Sequence, residues 1–252
     1  MRTLLAALSC AILTPAPSAP PAPAAVHVIR PGDTLSSVAV RHRLRTADLR
    51  AWNGPAPLRI DGLLRLTPPP TPLPRWRTRV TTVTPAEANG DPARRCPLPA
   101  RELRRIEVRY LGFDSRAHDG HVIMHRTLVA RTQRAFATLY RWRFPIMAMP
   151  PAVVPDKTVL TLGYECRYVA GTKRWSQHAY GRAIDINPRQ NPMIRGTYLD
   201  PPNSAKWIPR TNHHPGMLHA AGAVPAFTRE GFTWGGRWTT LKDYMHFSTT
   251  GR

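Results

Sequence analysis

Ser176-Gln-His178-Ala-Tyr-Gly181-Arg-Ala183-Ile-Asp185, together with the later Asp243-Tyr-Met-His246-Phe, gathers the residue types that hydrolytic metal chemistry needs. Two imidazoles and a carboxylate form a mixed neutral and anionic donor set suited to Zn²⁺, with a fourth position left for water. Asp243 stands three residues before the last imidazole and supplies a second carboxylate that could carry protons as general acid and base. The inventory is that of a zinc hydrolase: His178, Asp185 and His246 as ligands and Asp243 as proton carrier.

The elements holding these side chains can be read from the residues between them. His178 and Asp185 are seven positions apart, a spacing that fits one face of a helix. Gly181 interrupts such a helix, however, and Ala183-Ile184-Asp185-Ile186 alternates as a strand does before Pro188 ends the run. A loop carrying His178 therefore leads into a strand carrying Asp185, and His246 has to arrive from a distant segment. Ser176 has no general base beside it, and Trp175-Ser176-Gln177 is not a Gly-x-Ser-x-Gly elbow. It reads as a hydrogen-bonding support for the site rather than a nucleophile.

His118, His121 and His125 cluster in sequence, but the neighbourhood predicts a hairpin: a strand over 106–113, a polar turn around Asp114 and Ser115, and a strand over 121–125. Structural roles follow for these three. Residues 126–142 read as an amphipathic helix offering Leu128, Phe136, Leu139 and Tyr140 to a core. His213 and His214 fall in a Pro/Asn-rich loop at the rim of the cleft, and His219 is expected in a helix.

The pattern Ser176-x-His178-x-x-Gly181-x-Ala183-x-Asp185 resembles the signature of the zinc D-alanyl-D-alanine carboxypeptidase family. That family also holds L-alanyl-D-glutamate endopeptidases and is related to lysostaphin-type and hedgehog-type domains. The resemblance continues through Trp234-Gly-Gly236-Arg-Trp238 and Leu241-Lys-Asp243-Tyr-Met-His246-Phe247-Ser248, and spans residues 96–252. It implies an α+β fold, an antiparallel sheet with helices packed on one side. It also implies one Zn²⁺ on His178, Asp185 and His246, with Asp243 as catalytic acid. Relatives carry a Ser-Gly-Tyr-Arg segment whose arginine helps hold the scissile carbonyl; here Gly163-Tyr164-Glu165-Cys166-Arg167 makes Arg167 the counterpart.

A chain of 252 residues accommodates such a domain plus a smaller module. Met1-Arg2, an apolar run over 3–13 and a Pro/Ala/Ser-rich stretch to Ala25 read as a secretory signal peptide over 1–25. No later run approaches the roughly 20 apolar residues of a membrane span. Outside that signal two cysteines are left, Cys96 and Cys166; in an exported protein they predict one disulfide, beside Arg167. The formal charge of +21 is spread over the chain, +4 within 26–66 and +15 within 76–252. Spread positive charge suits a polyanionic wall, including anionic wall polymers. A nucleic-acid partner is not expected, because no helix-turn-helix, zinc finger or aromatic platform accompanies the charge.

Residues 26–67 predict a β-α-α-β module. A short strand and a Pro31-Gly32 turn precede a helix capped by Asp33 or Thr34, and a second helix over 46–52 stops at Asn53-Gly54. That order, with Gly-Asp-Thr-Leu and Leu49-x-x-x-Asn53, resembles a lysin motif (LysM) module. The resemblance implies binding of N-acetylglucosamine-containing glycans between two strand–helix loops, with Gly32, Asp33, Thr34 and Asn53 as candidate contacts. Residues 68–95 read as a proline-rich linker and an irregular lead-in; the run over 68–74 would span roughly 20 Å at about 3.1 Å per residue as a polyproline-like spacer. The whole reads as a secreted, wall-associated zinc peptidase acting on peptidoglycan stem peptides, with D-alanyl-D-alanine carboxypeptidase first in order. An endopeptidase cutting L-Ala-D-Glu or cross-bridge bonds is the alternative, and a non-catalytic wall-binding protein is the rival from another class.

Overall fold

The computed structural model describes residues 25–54, 57–68, 73–89, 95–211 and 213–251. The expected signal peptide, Ala25 apart, and most of the expected proline spacer lie outside the described residues.

In the N-terminal unit, β1 (Val26–Val28) pairs antiparallel with β2 (Leu63–Arg65), and α1 (Leu35–Arg41) and α2 (Thr46–Asn53) lie between them in sequence. Thr34 starts α1 with a capping box: its hydroxyl accepts from the Ser37 amide while the Ser37 hydroxyl accepts from the Thr34 amide. Two of the amides that a helix start leaves unpaired are thereby satisfied. Ile29, Val38, Ala39, Leu49 and Leu64 form the small core. The Asn53 amide donates to the carbonyls of Leu49 and Arg65 and accepts from the Arg65 amide at 2.7 Å, tying the end of α2 to β2.

The second unit begins with β3 (Thr78–Thr82) and α3 (Pro85–Ala88), followed by β4 (Leu103–Leu111), β5 (Ala117–His125) and α4 (Val129–Arg141). Its main sheet runs β3-β4-β5, antiparallel throughout. The lead-in is thus not irregular over 78–88, since β3 adds a third strand to the sheet and α3 follows it. As an edge strand it has one neighbour and exposes most of its side chains, so Thr-Arg-Val-Thr-Thr lacks the apolar alternation of a covered strand. The expected hairpin is present, with its turn closed by a Gly112-to-Arg116 amide–carbonyl bond and Ser115 at φ 61°.

Ile106, Val108 and Tyr110 alternate along β4 towards α4, whose Thr132, Ala135, Phe136, Leu139 and Tyr140 make up its buried face. The remaining strands are short: β6 (Ala183–Asp185), β7 (Met193–Arg195), β8 (Tyr198–Asp200), then α5 (Pro225–Thr228), β9 (Thr233–Trp234), β10 (Lys242–Asp243) and β11 (His246–Ser248). They form two further three-stranded sheets, β6-β11-β9 and β10-β7-β8. The architecture is α+β. A column of rings joins its parts: Phe136 of α4 meets Phe227 of α5 edge-on at 5.8 Å, and Phe227 stacks on Phe247 of β11 at 4.6 Å. Because successive strand residues face opposite ways, Phe247 in the core turns its neighbour His246 to the other face. His219 is not helical; it lies in a loop ahead of α5, a helix of only four residues.

Candidate active site

β6 and β11 pair in a register that sets His246 directly across from Asp185. Opposed residues on antiparallel strands share a face with their Cβ atoms about 5 Å apart, so two side chains 61 positions apart meet through strand pairing alone. His178 enters from the 3-10 turn Gln177–Tyr180, started by the Ser176 hydroxyl, which accepts from the His178 amide at 3.3 Å. Gly181 closes that turn in the left-handed region at φ 60°, and a Cβ there would lie 2.6 Å from the His125 amide nitrogen. Only glycine allows the turn to press against β5 and run straight into β6.

The three side chains converge. His178 Nε2 is 3.1 Å from one Asp185 oxygen, His246 Nδ1 is 3.1 Å from the other, and the two ring nitrogens are 3.3 Å apart. His178 Nδ1–H donates to the Gly163 carbonyl at 2.6 Å, which fixes the tautomer and leaves Nε2 bare. Burial alone would raise the Asp185 pKa; the adjoining His178 and His246 rings outweigh it and hold the carboxyl below the usual range. Among the described residues this is the one group of three such side chains able to share a metal ion. The donor set fits zinc, since two ligands each about 2.0–2.1 Å from a tetrahedral ion stand about 3.3 Å apart.

Asp243 comes from the other small sheet, where β10 pairs with β7. Its carboxyl Oδ1 is buried with no hydrogen-bond partner. Burial first, and the charge of Asp185 second, raise its pKa above the ordinary carboxylate range. Gly235 lets the Trp234-Gly-Gly loop close over it, because a Cβ there would meet the Asp243 carbonyl at 2.6 Å. Trp238 covers His246, ring to ring at 5.4 Å. Arg167 donates to Glu165 at 2.7 Å; burial raises the pKa of Asp200, and the Arg167 charge offsets only part of the rise there and at Asp243. The Cys96–Cys166 disulfide is present and anchors the residue next to Arg167.

The other sequence candidates have structural partners. Asp33 accepts from His27 and from the Arg30 amide, each at 2.8 Å; Thr34 caps α1, and the Asn53 amide is fully engaged. Gly32 stands at φ 84° with open space around it. His118 bonds to Asp114, and His125 caps the turn Arg126–Leu128. Sequence reasoning missed two supports behind the ligand strand. Asn187 donates to the Pro145 and Gly216 carbonyls, while Asn191 accepts from the Leu218 amide and the buried Arg210. The repeated Asn-Pro after Asp185 was the available signal. A third carboxylate, Asp200, was also missed; it shares a face with Asp243 across Met193 in the β10-β7-β8 register.

An α+β domain holding a His–Asp–His set for a metal beside a buried carboxyl defines a hydrolase-type centre. Residues 170–249 match the family model described as D-alanyl-D-alanine carboxypeptidase, and residues 27–61 match the LysM domain. Both matches fall on the segments whose motifs the sequence carries, the first within the second unit and the other within the N-terminal unit. The peptidase match takes in His178, Asp185, Asp243 and His246 and begins after Arg167. No curated protein and no solved structure matches the chain. No helix among the described residues is long and apolar enough to cross a membrane.

Proposed function

We propose that the protein is a secreted zinc peptidase that trims peptidoglycan stem peptides, removing a terminal D-alanine, and is held at the wall by its LysM domain. The observation carrying this reading is the convergence of His178, Asp185 and His246, with the buried Oδ1 of Asp243 left without a hydrogen-bond partner. Bound by these three side chains, zinc would supply Lewis acidity and a water of lowered pKa. Asp243 takes the proton from the attacking water and returns it to the departing amine. Arg167 offers a guanidinium to the developing oxyanion once it turns from Glu165. Ser176 and the Gly163 carbonyl hold His178 in place. Tethering by LysM raises the local substrate concentration.

The test is mass spectrometry of purified muropeptides after incubation with the mature, zinc-supplemented protein and with His178→Ala. Chelator-sensitive loss of one alanine from pentapeptides supports the carboxypeptidase. Two new stem fragments assign an endopeptidase instead. Intact peptides alongside retained wall binding would leave a wall-binding protein.

A further inference from the structure

Between the LysM domain and the peptidase domain lies a cavity of 390 Å³ with Leu58, Arg59 and Arg65 on one wall and Phe113, Trp142 and Arg143 on the other. Arg59 lies over the Trp142 ring at 4.3 Å, and its Nε and Nη2 are buried with no hydrogen-bond partner. No ion pair among the described residues neutralises Arg59, Arg65 or Arg143, and Asp61 is the single acid in the lining. Burial lowers the pKa of all three guanidiniums, and the charge of Arg143 adds to the effect on Arg65. Opposite them His219 is held neutral, its pKa lowered to about 3 mainly by burial, with Nε2 unpartnered and its ring stacked on His213 at 4.1 Å.

Positive charge withdrawn from water and left unpaired is costly, whereas an incoming anion would gain charge-assisted, forked hydrogen bonds from the same groups. The aromatic and aliphatic walls favour an anion attached to a larger body with apolar faces, and the volume falls within the range of roughly 300–1,000 Å³ usual for small-molecule sites. We propose that this interdomain cavity binds an anionic saccharide of the cell wall, its carboxylate or phosphate received by Arg59 with Arg65 and Arg143. The inference rests on the wall-glycan reading of the LysM domain and adds to it a charge preference and a second wall supplied by the peptidase domain. An oligosaccharide seated there would be held by both domains at once, fixing how the glycan strand lies relative to the peptidase.

The test is calorimetric titration of the full chain with three probes: muramyl dipeptide, a glycerol-phosphate oligomer and uncharged chitotetraose. Arg59→Ala should weaken whichever anionic probe binds by about tenfold, with Arg59→Lys in between, because charge remains while the fork is lost. Chitotetraose affinity should change by less than about twofold. Binding of muramyl dipeptide alone would assign a carboxylate source and of glycerol phosphate alone a phosphate source. The proposal is overturned if neither anionic probe binds, or if both bind unchanged to a folded Arg59→Ala variant. Cleavage of a free stem pentapeptide, which carries no saccharide to seat in the cavity, should equal wild type in the same variant, so failure at the cavity and failure of the peptidase reading are read separately. Loss of chitotetraose binding in the wild-type chain would count against the LysM reading alone.

Discussion

His178 and His246 present different ring nitrogens, Nε2 and Nδ1, to the same point beside Asp185. That asymmetry follows from their elements: His178 is oriented from behind by the Gly163 carbonyl, His246 by its place across from Asp185. Asp243 contributes no bond to this cluster, so its chemistry and its structural role can be separated. Asp243→Asn should lower kcat by about 10²–10⁴-fold with zinc content, read by atomic emission, unchanged. Metal loss in that variant would instead make Asp243 part of the binding set. Asp33 gives a second residue-scale expectation, in the other domain. Its pKa is lowered from 3.8 to about 2, first by the His27 hydrogen bond, then by the Arg30 amide and the Arg41 charge. A carboxyl depressed by folding stabilises the folded state above its unfolded pKa, and that contribution disappears as pH falls towards the folded one. LysM amide signals in the full chain should therefore hold their thermal stability down to about pH 4 and lose it progressively towards about pH 2. Asp33→Asn should flatten that slope.

At the scale of elements, the site depends on the turn that carries His178 into β6. Gly181 closes it, with φ 60° and a backbone atom of β5 where a Cβ would go. Gly181→Ala should cost about 1–3 kcal/mol for the forced left-handed residue, measured by chemical denaturation. It should also weaken zinc binding, because the turn that carries His178 must move. Unchanged zinc affinity would show that the turn relaxes away from the ligand. The Asn187 and Asn191 side chains act from behind β6, bonding carbonyls and amides of three loops. They brace the chain just beyond a strand of only three residues, which β11 pairs along its length and Leu162 bridges at Asp185.

For the whole molecule, the Cys96–Cys166 bond joins the segment between β3 and β4 to the segment before the ligand turn, across a separation of 70 residues. Closing a loop of that length restricts the unfolded chain and typically contributes about 2–4 kcal/mol. The Cys96→Ser/Cys166→Ser double variant should show a denaturation midpoint lowered accordingly, with its LysM signals unaffected. A coincident loss of both domains would mean that their contact, including Arg59 on Trp142, couples them into one folding unit.

Residue type and local spacing were enough to single out His178, Asp185, His246 and Asp243 as candidates, and to name the Thr34 cap, the Asn53-Gly54 stop and the α4 face, since each rests on a side chain's chemistry or a short-range period. Tertiary structure alone decided the pairing of Asp185 with His246, β3 as an edge strand, and the tie of the Asn53 side chain to β2. It alone also gathered Arg59, Arg65 and Arg143 around one cavity. Those outcomes depend on contacts between distant segments. An edge strand carries no apolar alternation, and in a chain with 36 basic residues three arginines are not conspicuous until folding removes them from water without a counter-charge.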